Sequence, residues 1–152
     1  MAGNPWLVAG GAFSAGAAVL HLLIIVGGPG WYRLFGAGEL LARAAERGSP
    51  VPAFWAAAIA GVLAIWAAYA WAGAGLIPRL PLMRAALAAI TAVYLLRGLV
   101  LAPALAAWLG GAERVGRWSP AFMVWSSLIV LGIGLLYAVG TWRAWPALSR
   151  PA

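Results

Sequence analysis

The chain has no cysteine, no lysine and no aspartate, and only three glutamates and one histidine. Without cysteine there is no disulfide, no thiolate nucleophile and no thiolate-bound metal. One His and three Glu cannot furnish the multi-residue ligand set of a metal site within one chain. No serine elbow, P-loop or dinucleotide-binding glycine pattern occurs either, so neither a metal nor an organic cofactor is expected. Charge as a whole is scarce. Of the 152 residues 9% are charged and 65% hydrophobic, against roughly 25% and 45–50% in an ordinary soluble domain. A water-soluble surface cannot be assembled from that inventory.

What the chain does have is long apolar runs. One bilayer crossing takes about 20 apolar residues, and residues 6–26, 51–77, 83–109 and 120–142 supply four such runs, which nearly exhaust the chain. The expectation is an all-α integral membrane protein, a single transmembrane domain over residues 1–152 built as a four-helix bundle. The first run is preceded by no Lys or Arg and is longer than the hydrophobic region of a typical signal peptide, so it is read as the first membrane helix. Gly27-Gly28-Pro29-Gly30, Ser49-Pro50-Val51-Pro52, Pro78 and Pro81 punctuate the runs, and Pro120 suits a first helical turn. Between the first two runs, residues 31–47 interleave Arg33, Glu39, Arg43, Glu46 and Arg47 with Leu34, Phe35, Leu40 and Leu41. That pattern predicts a short amphipathic helix in the membrane interface, with Trp31 and Tyr32 at headgroup level. Most tryptophans, Trp118 among them, fall near the ends of the runs, as interfacial belts require. Trp66 and Trp125 fall deeper and are expected to pack between helices.

All ten basic residues are arginines, and the formal net charge is +7. Apart from Arg97 they are scattered singly at the ends of apolar runs, where they anchor the protein and meet lipid phosphates, so membrane lipids and not nucleic acid are the expected partners. Four crossings place both termini on one face, here face A, and the connections over residues 27–50 and 110–119 on face B. Face A then holds Arg79, Arg84, Arg143 and Arg150, and face B holds Arg33, Arg43, Arg47, Arg114 and Arg117. So even a count gives the positive-inside rule nothing to choose on. The more elaborate connections of face B favour face A as the cytoplasmic side, in an inner cell membrane.

Small residues recur at spacings that let membrane helices approach closely: Gly10 with Ser14 and Ala17 with His21, then Ala57 with Gly61, then Ser127, Gly134 and Thr141. Such faces allow tight packing within the bundle, in a homo-oligomer or against a membrane-protein partner. Two ionisable groups lie inside predicted spans, His21 and Arg97. A charge at mid-bilayer costs about 2.5–3.5 kcal/mol on insertion scales, so a carboxylate, carbonyls, cavity water or a bound anion must solvate Arg97. The first and third runs point the same way, and His21 lies roughly 6 Å nearer face B than Arg97 does. Thr91, Tyr94 and Arg97, three apart, are expected to share a polar face that looks at the Ser14 and His21 face of the first run. Glu39 follows the flexible Gly36-Ala37-Gly38, and an inward fold of that connection would let it cap the cavity and pair with Arg97 or His21, whereas Glu46 and Glu113 read as solvated charges.

Known families of this size are matched at no motif. Small multidrug exporters carry an acidic residue in the first helix, which is missing here. The glutathione-using four-helix enzymes carry an Arg, Asn and Glu pattern in the second helix, which here has none of the three. The leading functional reading is a pocket that binds or transports an anionic, lipid-like amphiphile, with Arg97, His21, Tyr94, Glu39, Thr91, Ser14 and Trp66 as its candidate residues. A second reading is an accessory or assembly subunit of a larger membrane complex or homo-oligomer. A third is a membrane-embedded enzyme acting on a lipid or isoprenoid, with His21 or Glu39 as acid or base.

Overall fold

The computed structural model describes residues 3–113 and 119–148, and over them the protein is helical throughout. Its elements are α1 (Pro5–Leu34), α2 (Glu39–Glu46), α3 (Val51–Gly73), α4 (Met83–Gly98), α5 (Leu101–Leu109) and α6 (Pro120–Leu148). Four helical stretches are long and apolar enough to cross a membrane: α1, α3, α4 with α5, and α6. The bundle is the expected one, with α1 packed on α3 and α6, and α4 packed on α6 and α3. Successive spans are therefore neighbours, and α1 and α4 face one another across the diagonal.

Local sequence sets the helix ends. Asn4 caps α1 by accepting from the backbone N–H of Trp6 and Leu7, and its amide also donates to the Gly140 carbonyl at 2.7 Å. That second bond ties the start of α1 to the end of α6. Ser119 accepts from the Phe122 N–H and starts α6, with Pro120 in the first turn, where a missing N–H costs nothing. Between helices the fit depends on residues without side chains. A Cβ on Gly98 would lie 2.9 Å from the Leu131 backbone, so only glycine lets α4 meet α6 there.

The chain departs from the sequence reading in the first connection on face B and within the third span. Gly27 to Gly30 does not end α1 but bends it. Gly28 takes φ 66° and ψ −154°, a conformation essentially restricted to glycine, and the chain then makes a further short stretch of helix to Leu34. The bend turns Tyr32 into the bundle, where it is buried, instead of leaving it at headgroup level. The amphipathic stretch is correspondingly split, with Gly36 and Gly38 at positive φ before α2. The third span is also divided after Gly98. Pro103 has no N–H to offer the Leu99 carbonyl, which instead accepts from Ala102 in a tighter turn. Arg97 thus sits in the last turn of α4, directly before a break.

Two packing expectations are corrected. Trp125 is 62% exposed and faces outward. Ala57 and Gly61 lie on the outer surface of α3, where a Cβ on Gly61 would meet nothing. Their spacing matches a close-packing face, but the buried face of α3 includes Ala56, Ala60 and Ala67 instead. The expected membrane-face positions of Arg114, Arg117, Trp118 and Arg150 lie outside the described residues.

Candidate functional site

The centre of the bundle is polar and takes one group from each span. Ser14 of α1 lies 2.8 Å from the Tyr94 hydroxyl of α4 and 3.0 Å from the Tyr137 hydroxyl of α6. Tyr137 in turn donates to the backbone carbonyl of Trp66 in α3 at 3.0 Å. The direction of this chain follows from counting protons. A carbonyl can only accept, so the single hydroxyl proton of Tyr137 is committed to Trp66. Ser14 must then donate to Tyr137, and Tyr94 must donate to Ser14. The order Tyr94 to Ser14 to Tyr137 to Trp66 is the only one that satisfies all three bonds. Rings reinforce it: Trp66 meets Tyr94 edge-on at 5.0 Å, and Tyr94 and Tyr137 lie 5.3 Å apart.

Toward face B this knot gives way to a cavity of about 520 Å³. Its walls come from the end of α1, the start of α3, the end of α4 and the start of α6, and Leu41 of α2 closes over it. Most of the wall is apolar and aromatic, with Trp55, Phe35 and Phe122 prominent. His21, Tyr32, Arg97 and, through its indole N–H, Trp55 are its hydrogen-bonding side chains. The volume falls within the roughly 300–1,000 Å³ of small-molecule sites.

Arg97 is half-buried and is held by Ser127 and Ser126 of α6, whose hydroxyls accept from its two terminal nitrogens at 2.8 and 3.2 Å. Neither serine carries charge. Of the five N–H groups of the guanidinium, three therefore remain without a partner among the described residues. His21 is held at its other nitrogen: Nδ1 lies 2.8 Å from the Ala17 carbonyl, one turn back on α1. No hydrogen bond joins His21 to Arg97. They share the cavity wall instead.

Glu39 is not in this site. Phe35, Gly36, Ala37 and Leu41 of the connection line the cavity, but the Glu39 carboxylate stays 51% exposed and binds Arg33 and Arg43, each at 2.8 Å. Arg33 also reaches Glu46 at 2.7 Å. Two nearby cations in the same connection outcompete a cavity several residues inward. The hydrogen bonds from Arg33 and then Arg43 hold the Glu39 carboxyl down at about 2.

Thr91 is the other correction. Its hydroxyl donates to the Leu87 carbonyl and its side chain lines a separate groove of about 630 Å³ between α4 and α6, beside Thr141 and Trp142. Steps of three residues fall short of a full turn by about 60° each, so Thr91 and Arg97, two steps apart, look in different directions. The Thr141 hydroxyl in that groove wall is buried and has no partner among the described residues.

Ser14, Tyr94 and Trp66 are thus brought together, and His21 and Arg97 are brought together, as two adjoining sites and not one. Sequence reading missed Tyr137 and the pairing of Arg97 with Ser126 and Ser127. Tyr137 lies three residues beyond Gly134 and four before Thr141, on the face those residues define, and Ser126-Ser127 is the one adjacent pair of hydroxyls in its span. Among the described residues, no three of His, Cys, Asp and Glu gather as a metal site would need. The chain matches no known protein family, no curated protein and no solved structure.

Proposed function

We propose that the protein binds an amphiphile with an anionic head group in the cavity toward face B, its head on Arg97 and its tail along the aromatic walls. The observation that carries this reading is the state of Arg97. It is a permanent cation within a membrane span, on the wall of a cavity, which among the described residues is supported by two neutral hydroxyls alone and keeps three donors unspent. A purely structural arginine would be expected on a carboxylate, and the carboxylates of Glu39 and Glu46 are taken by Arg33 and Arg43 at the surface. An oxyanion between the free N–H groups would supply the missing charge in a region of low dielectric, where such bonds are strong.

The test is native mass spectrometry of the protein extracted in mild detergent. The wild type is expected to retain an anionic lipid at one copy per chain. Arg97→Leu, checked for unchanged helicity, is expected to retain none. The same lipid at the same occupancy in that variant would rule the reading out.

A further inference from the structure

The cavity has one side that the bundle does not close. The face of α3 turned toward α4 is a single stripe, at steps of three, four or seven residues: Gly73, Tyr69, Trp66, Ile59 and Trp55. Its half toward face A is covered by α4 and the loop before it. A Cβ on Gly73 would meet the Leu87 side chain at 2.9 Å, Tyr69 donates to the Pro81 carbonyl at 3.1 Å, and Trp66 meets Tyr94 edge-on. Its half toward face B has no such cover. Ile59 and Trp55 line the cavity opposite Arg97 and Val100, yet Ile59 is 43% and Trp55 55% exposed. The helix that carries the third span onward, α5, packs on α6 rather than on α3. Among the described residues, α3 and the third span thus touch toward face A and part toward face B.

Depth decides what the gap opens onto. Ile59 lies eight residues beyond Val51, about 12 Å from the face B end of α3, and Trp55 four residues beyond it, about 6 Å. With a hydrocarbon core about 30 Å thick, the gap meets acyl chains at Ile59 and approaches the headgroup region at Trp55. Resting on the reading of the cavity as an amphiphile site, we infer that this gap is a lateral portal, through which the cavity takes its ligand from the face B leaflet and not from water. The head moves inward along the slot from Trp55 to Arg97, while all but the first stretch of the tail stays outside among the lipids. The charge is thereby spared a passage through bare hydrocarbon, which is costly. A cavity of about 520 Å³ has the size of a site for a drug-sized molecule. It encloses a head group and the beginning of a chain, and the portal removes the need to enclose the rest. The ligand is then a bilayer-resident anionic lipid, with no upper limit set on the length of its tails.

The test is photolabelling of the protein in phosphatidylcholine vesicles that contain a small fraction of phosphatidylglycerol with a diazirine in its acyl chain, the labelled residues being identified by mass spectrometry. Ile129 of α6 is the reference, an exposed isoleucine nine residues beyond Pro120 and so at nearly the depth of Ile59. Labelling at Ile59 is expected to exceed that at Ile129 about tenfold, the worth of a charge-assisted hydrogen bond at Arg97. Diacylglycerol with the same diazirine chain, which carries no charge, is expected to label the two alike, and this comparison needs no variant to fold. In Arg97→Leu the excess at Ile59 is expected to vanish with Ile129 unchanged. An excess shared by diacylglycerol, or surviving in Arg97→Leu, would show ordinary lipid contact at Ile59 and overturn the portal as a route to Arg97. An excess found instead on cavity residues away from the gap, such as Phe35 and Leu41, would place the entrance beneath α2; it too would overturn the portal, and would leave the anionic-amphiphile reading intact. An excess at no cavity residue would overturn both.

Discussion

The hydroxyl chain at the centre makes two tyrosines that look equivalent unequal in energy. Tyr137 both accepts and donates, so Tyr137→Phe strands the buried proton of Ser14 and takes the donor from the Trp66 carbonyl. Tyr94 only donates, and Tyr94→Phe leaves no buried proton unpaired. The expected losses are about 1–3 kcal/mol for Tyr137→Phe and about 0.5–1.5 kcal/mol for Tyr94→Phe, measurable by denaturant unfolding in detergent. The reverse ranking would refute the assigned direction. At this scale the sequence was legible where a residue type is anomalous for its surroundings. Arg97 and His21 stand out in apolar runs because a charge there is costly, and Ser14 because a small polar residue is useful there. Tyr137 did not stand out, since a tyrosine among leucines reads as one more large side chain until its hydroxyl is given a partner. Thr91 was misplaced for the opposite reason: its spacing from Arg97 suggested a common face that the rotation of the helix takes apart.

Among the elements, the α2 connection is the one that stands on charge. Glu39 is held at about 2 against an ordinary 4.5 by its bonds to Arg33 and Arg43. A carboxyl whose folded value is lowered stabilises the fold fully above its unfolded value and progressively less as the pH falls toward the folded one. Amide exchange of residues 39–46, corrected for its intrinsic pH dependence, is therefore expected to stay flat from pH 8 to about 5 and to rise between about 4.5 and 2. Loosening already between pH 8 and 5 would contradict the assignment. The same exposed pairs are open to screening, so high salt should loosen α2 and leave the spans unchanged. The bend at Gly28 is a matter of backbone. Gly28→Ala places a Cβ where φ is 66°, and a loss of about 1–3 kcal/mol is expected by thermal unfolding, with the cavity mouth disturbed. The four spans could be read from the sequence because length and hydropathy alone decide whether a helix crosses a bilayer. The subdivisions could not: whether Gly28-Pro29 ends a helix or bends it, and whether Pro103 divides one, depends on what the flanking turns pack against.

For the molecule as a whole, ends that are distant in sequence are adjacent in space. Asn4 binds the Gly140 carbonyl, Arg143 lies over the Trp6 ring at 5.4 Å, and Arg79 donates to the Ala147 carbonyl. At the opposite end a Cβ on Gly36 would run into the Phe122 ring. A chain without cysteine can take single cysteines as reporters. Cysteines at Gly3 and at Ala147 are expected to react with an impermeant maleimide from one side of sealed vesicles, and a cysteine at Gly48 from the other. Labelling of Gly3 and Ala147 from opposite sides would be incompatible with the bundle. The central knot also bears on how the chain is made. The first three spans bring Ser14, Tyr94 and the Trp66 carbonyl into the membrane, yet the acceptor for the Ser14 proton and both serines that hold Arg97 arrive only with α6. A chain from which α6 is removed would thus leave an unsupported cation and an unanswered hydroxyl in the bundle interior. The interior is thus satisfied span by span in chain order, and α6 is the element that closes both of its polar clusters at once.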